Sequence, residues 1–199
     1  AVYYRARFLL KFRKVRNAII LAPAIATNMT WIPFLSVNRE RFRVIRAESD
    51  LTNVPEGMFL VVSTSMLGKL RRGLVRYVKQ TSRKLCLVFD ESDEITNPTS
   101  QRTRNILCIF RRPKYKILDT GTTTRNNIAE LYSQFELLYN NSVNMVCWSP
   151  QVYHENKERE IEEENNPDYG IPFPAFRGHV LFRACHCPGK ATVLGIEKQ

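Results

Sequence analysis

Leu85-Cys86-Leu87-Val88-Phe89-Asp90-Glu91-Ser92-Asp93 decides how this chain is read. Five apolar residues in a row, closed by acids, have the pattern of a strand buried on both faces. The strand delivers two adjacent carboxylates, Asp90 and Glu91, at its C-terminal end. Thirty residues after Asp90, a second strand-like run, Tyr115-Lys116-Ile117-Leu118, has led into Thr120-Gly121-Thr122-Thr123. Adjacent acids at the end of a buried strand are how nucleotide-hydrolysing folds hold magnesium and orient a water.

Outward from this stretch, strands alternate with helices. Tyr3 to Arg16 predicts a basic amphipathic helix. Asn17-Ala18-Ile19-Ile20-Leu21-Ala22 predicts a buried strand that Pro23 stops. Ala24 to Val37 starts as a helix that Pro33 should break. Phe42 to Ile45 alternates like a half-exposed strand, and Met58 to Val62 is another buried one. Ser65 to Gln80 predicts a basic helix with an apolar stripe. Helices are also expected near Ser100 to Phe110 and over Asn127 to Tyr139. The pattern predicts an α/β fold, a mostly parallel sheet with helices on both faces. Pro23, Ser63-Thr64, Asp90-Glu91 and Thr120-Gly121-Thr122 then all fall at C-terminal strand ends, where such sheets bind ligands.

The 199 residues suffice for one large domain, or for one and a small appendage. We divide them into a lobe over 1–145 and an extension over 146–199. The extension holds a charged stretch from Glu155 to Asn166, an exposed helix or a disordered tract, and a Gly/Pro-containing loop over 168–176. No apolar run is long enough for a membrane span. The N-terminus lacks the layout of a secretory signal. Five cysteines, two of them (Cys86 and Cys108) in apolar segments, suit a reduced, intracellular setting, cytoplasmic or nuclear. Net charge is +11, and the chain without Glu155 to Asp168 carries +16. A body that basic attracts a polyanion through counterion release.

The run Asp90-Glu91-Ser92-Asp93-Glu94-Ile95-Thr96-Asn97-Pro98-Thr99-Ser100-Gln101-Arg102-Thr103 resembles the Walker B region of the chromatin-remodelling, Swi/Snf-type translocases of helicase superfamily two. Thr120 to Ser133 is similar to that family's third motif and the helix after it. Weaker matches fall in the right order. Ile19-Ile20-Leu21-Ala22-Pro23, with Trp31 eight residues beyond the Pro, resembles motif Ia. Val61-Val62-Ser63-Thr64-Ser65 resembles motif Ib. Phe182-Arg183-Ala184-Cys185-His186-Cys187 is similar to a segment that follows the first lobe in some members.

The resemblance implies a RecA-like lobe of the P-loop NTPase class, the first of two in a DNA-stimulated ATPase. Carried over by position, Asp90 would serve Mg²⁺ through water and Glu91 the catalytic water. Thr120, Gly121 and Thr122 would couple nucleotide state to lobe movement. Pro23, Ser63 and Thr64 would lie near the phosphates of double-stranded DNA. ATP and Mg²⁺ would be the cofactors of the complete motor, and a second RecA-like lobe its partner.

The chain departs from the family at Ser92 and Asp93, in place of Ala-His, at Thr123 and Arg125, and at Asp119, where the family has Leu. An Asp at the fourth place does occur in sister helicase families. No Gly-x-x-x-x-Gly-Lys-Ser/Thr phosphate loop exists in the sequence. The expectation is therefore an incomplete first lobe that binds ATP poorly and does not turn it over alone. The alternative is a degenerate, non-hydrolysing lobe that binds nucleic acid or a partner. Cys185-His186-Cys187 with His179 and Cys147 lacks the second spaced pair that structural zinc uses, and reads as packing or a loop. Lys69, Arg72, Arg76 and Lys79 share one helix face, either simply solvated or turned to DNA.

Overall fold

The structure, a computed structural model, describes residues 1–98, 100–122, 128–139, 182, 191–193 and 196–198. Five strands form one sheet: β1 (Asn17–Ala22), β2 (Phe42–Val44), β3 (Met58–Ser63), β4 (Leu85–Asp90) and β5 (Tyr115–Asp119), in the order β2-β3-β1-β4-β5. Every pairing is parallel. β1 lies at the centre and all six of its residues are buried. Alternation sorts each strand between two cores. Ile19, Leu21, Leu60, Val62, Leu87 and Phe89 face one side, and Ala18, Ile20, Phe59, Val61, Cys86 and Val88 the other. Each fully buried Ile, Leu or Phe contributes about 1.5–3 kcal/mol by leaving water, which explains why these strands are apolar without interruption.

The first side is covered by α4 (Leu67–Thr81), α5 (Gln101–Phe110) and Leu137 of α6 (Tyr132–Leu138). The second is covered by α1 (Val2–Lys11) and by a helical stretch of α2 (Ala24–Ala26), a π-turn (Thr27–Trp31) and α3 (Ile32–Val37). This is the α/β, RecA-like lobe expected from the sequence. A short antiparallel pair, β6 (Ala191–Val193) and β7 (Ile196–Lys198), was not foreseen. The boundary at 145/146, the acidic stretch, the 168–176 loop and the Cys/His group lie outside the described residues.

Two expected boundaries move for local reasons. The first helix ends at Lys11 rather than Arg16. Arg13 takes a left-handed φ of 52°, and the N–H groups of Arg13 and Lys14 donate to the carbonyls of Leu10 and Leu9. That is a Schellman closure with Arg where Gly is usual, so no glycine announced it. Pro33 does not break its helix. The π-turn just upstream widens the spiral, and Pro33 sits in the first turn of α3, where its missing N–H costs little. The predicted helix over 127–139 starts instead as a 3₁₀ turn, Ile128–Leu131.

Candidate nucleotide and nucleic-acid edge

Parallel register brings the candidate residues into one row. Ala22 pairs with Ser63, Leu21 with Phe89, and Asp90 with Asp119. Along the C-terminal edge the order is therefore Ser63-Thr64, Pro23, Asp90-Glu91 and Thr120-Gly121-Thr122. All eight residues picked from the sequence lie on this edge. Pro23 and Ser63 are half-buried, whereas Thr64 is buried. The Ser63 hydroxyl lies 2.9 Å from that of Ser65.

The β4 end is tightly bonded. Asp90 is half-buried. Its Oδ2 accepts a hydrogen bond from the Trp31 indole at 2.7 Å, and its Oδ1 one from the Glu91 amide at 3.1 Å. Glu91 has a left-handed φ of 54°. Such a backbone costs a non-glycine residue about 1–3 kcal/mol. The Glu94 amide donates to the Glu91 carbonyl at 3.0 Å and closes the turn. The Glu91 carboxyl is pushed above its usual range. Desolvation is the main cause, followed by the charges of Asp93 and Asp90, a hydrogen bond to the Asp93 carboxyl, and Asp119. Carboxyls that share a hydrogen bond must share a proton, so this site holds one more readily than an isolated acid.

Asp93 is the residue whose role the motif comparison understated. It is buried, at 4% exposure, and accepts from the hydroxyls of Thr120 (3.2 Å) and Thr122 (3.3 Å). The Thr122 amide in turn donates to the Thr120 hydroxyl oxygen at 3.1 Å. Beside it, the buried Ser92 hydroxyl donates to Gln134 of α6 at 3.3 Å. The substitutions at Ser92 and Asp93 thus place short polar groups that tie β4 to β5 and to α6. The sequence signal that could have located this tie was the fourth place of the acidic run itself. Thr123 and Arg125 lie outside the described residues. Phe182, in the segment matched after the lobe, packs its ring 5.7 Å from Tyr132 and 6.0 Å from Phe135 of α6.

The donor set fits an indirect magnesium contact and no direct cage. Among the described residues no three His, Cys, Asp or Glu side chains converge to hold a metal. A carboxylate has about four lone-pair positions, and Asp90 uses two of them. The remainder can accept from a metal-bound water, the mode in which nucleotide sites keep most of the ion's shell as water and phosphate.

Away from the edge, Lys69, Arg72, Arg76 and Lys79 are all exposed on one face of α4, spanning about 15 Å at 1.5 Å per residue. None of the ion pairs among the described residues involves them.

A parallel five-stranded sheet with two tied polar motifs on its C-terminal edge has the architecture of an α/β, RecA-like lobe, and those motifs resemble the ones of the Swi/Snf type in helicase superfamily two. The sequence is similar to the DNA annealing helicase and endonuclease ZRANB3 of Bos taurus, with 29% identity over 109 residues. That match takes in 55% of this chain but 10% of the relative. A solved structure of the Sulfolobus solfataricus SWI2/SNF2 ATPase core in complex with dsDNA overlaps 82% of this chain and 41% of its own, at 16% identity and a TM-score of 0.48. No family model matches the chain. No helix among the described residues is long and apolar enough to cross a membrane.

Proposed function

We propose that this chain is the first motor lobe of an ATP-dependent DNA translocase or helicase. The observation that carries the reading is the single edge on which Pro23, Ser63, Asp90 and Thr120 stand side by side, with Asp93 joining the last two motifs. In the complete motor, bound magnesium would neutralise the charge that develops on the transferred phosphoryl group. Asp90 would accept from a water of that ion. Glu91, its carboxyl already raised toward proton uptake, would orient the attacking water and take its proton. Asp93, Thr120 and Thr122 would convert a change at β4 into a movement of the β5 loop. Pro23 and Ser63 would rest against phosphates without reading bases, as a motor that steps over any sequence must. The basic face of α4 extends the same polyanion contact down the side of the lobe.

Duplex binding tests this directly. The chain should bind duplexes of unrelated sequence at low salt with similar affinity. Arg72→Glu with Arg76→Glu should lower the slope of log K against log salt by about 2. Ser63→Glu should weaken binding about tenfold with the fold intact by circular dichroism. Failure of the unaltered chain to bind any duplex at low salt removes the reading and favours a lobe that serves only to dock a protein partner.

A further inference from the structure

Trp31 is a motif marker in the sequence; in the structure it is the only side chain among the described residues that bonds to Asp90. The chain around it explains how it gets there. Residues Thr27–Trp31 form one π-turn, in which the Ile32 amide donates to the Thr27 carbonyl, five residues back rather than four. The extra residue re-aims the side chains that follow, and such bulges recur at functional sites. Trp31 thereby turns onto the sheet, at 8% exposure among Ala22, Val88 and Leu35, with its ring 6.3 Å from that of Phe34. A buried indole N–H needs an acceptor. Here it takes a charged carboxylate from the strand beside β1. The same helical stretch begins at Ala24, directly after Pro23. One short helical rod therefore has its first end against the uncharged half of the edge and its side chain on the acid of the other half.

We propose that Trp31 is a positioning residue for Asp90, and that residues 24–31 relay the state of the Pro23 edge to that carboxylate. The relay rests on the DNA-motor reading above; the positioning of Asp90 does not. With the indole in place, Oδ2 is fixed in one direction. A phosphate seated at Pro23 shifts the rod, lengthens the Trp31–Asp90 bond and frees an Oδ2 lone pair.

The chain has two tryptophans, so in a Trp148→Phe background Trp31 gives a single indole N–H resonance. That resonance should lie downfield and exchange slowly, and Asp90→Asn should move it and speed its exchange. Duplex DNA of arbitrary sequence, added at low salt, should shift it. Trp31→Phe and Asp90→Asn should each change duplex affinity by about fivefold, since coupling is reciprocal, and the double variant should change it no further than either alone. If Trp31→Phe fails to fold, Asp90→Asn, a half-buried and nearly isosteric change, carries the affinity test alone. A resonance that ignores Asp90→Asn overturns the positioning role. Duplex binding with neither a shift nor an affinity change overturns the relay and leaves the DNA reading standing. No duplex binding overturns the relay together with the DNA reading, and the Asp90→Asn result still decides the positioning role.

Discussion

The two halves of the sheet edge are built from the same backbone geometry and have opposite chemistry. At β4 and β5, four acids gather (Asp90, Glu91, Asp93, Asp119), and their neighbours are engaged in bonds that cross from element to element. At β1 and β3 the ends are Pro23, Ser63 and Thr64, with no charge and one local hydroxyl pair. A phosphate backbone brought to the acidic half would meet like charge at short range in a partly desolvated place, where repulsion is screened least. At the neutral half it meets none, and α4, which follows β3, adds cations. The fold thus supplies equivalent positions, and in the proposed motor charge alone would separate the place for a metal-bound anion from the place for a polyanion held directly. What makes the acidic half workable is bonding. The carboxylates of Asp90 and Asp93 are tolerated because indole, hydroxyl and amide donors are already fixed on them.

The largest effect should come from removing that bonding. Asp93→Ala deprives the Thr122 hydroxyl of its acceptor and leaves the Thr120 hydroxyl only the Thr122 carbonyl, and should cost about 1–3 kcal/mol in urea unfolding. Asp93→Asn, which keeps one acceptor oxygen, should cost less. An alanine variant as stable as the parent would mean that the two halves differ in charge but not in cohesion.

Glu91→Gln probes charge without removing bulk. The folded-state carboxyl titrates above its unfolded value, so the folded chain binds the extra proton, and this group's contribution to stability falls as pH rises through that window. The glutamine variant should therefore match the parent near pH 4 and be the more stable of the two by pH 7. Parallel stability curves across that range would show that the acid cluster repels too weakly to matter.

The effect most remote from the edge lies at Lys116 in β5. Burial, aided by the Arg111 charge and opposed by Glu136, lowers its ammonium to about 8, and its Nζ donates to the carbonyls of Arg111 and Leu138. The unfolded chain then binds the extra proton between about pH 8 and the ordinary 10.5. Stability from this group should rise across that window. Lys116→Met should abolish that rise, read as a difference in urea midpoint between the two proteins, and should leave the behaviour below pH 8 unchanged. A rise that survives the substitution would assign it to another group.

Much of the architecture was legible because apolar period is a local property. Leu85 to Phe89 and Asn17 to Ala22 can be buried on both faces in no other common arrangement, and their polar ends had to fall on one edge once the strands were parallel. Helix limits were less legible. Arg13 in a left-handed turn and Pro33 inside a helix both run against local preference. Each is overridden by tertiary packing, the first to bring the chain back to β1, the second through a π-turn that no residue type announces. The bonds within the site were legible least. Asp93 to Thr120 spans 27 residues and Trp31 to Asp90 spans 59, and no pattern within one element encodes such a distance.

By itself, the sequence determined which residues would be the five strands of the main sheet, that they would lie parallel between two helical layers, and that acids would stand at one strand end and threonines at the next. Burial of apolar surface needs nothing more than local order in the chain. Only the tertiary structure decided that Asp93 holds the threonines, that Glu91 sits in a strained turn among three other acids, and that an indole from a distant helix rests on Asp90. Hydrogen bonds depend on distance and direction within tenths of an ångström, and those are set only when every packed layer is in place.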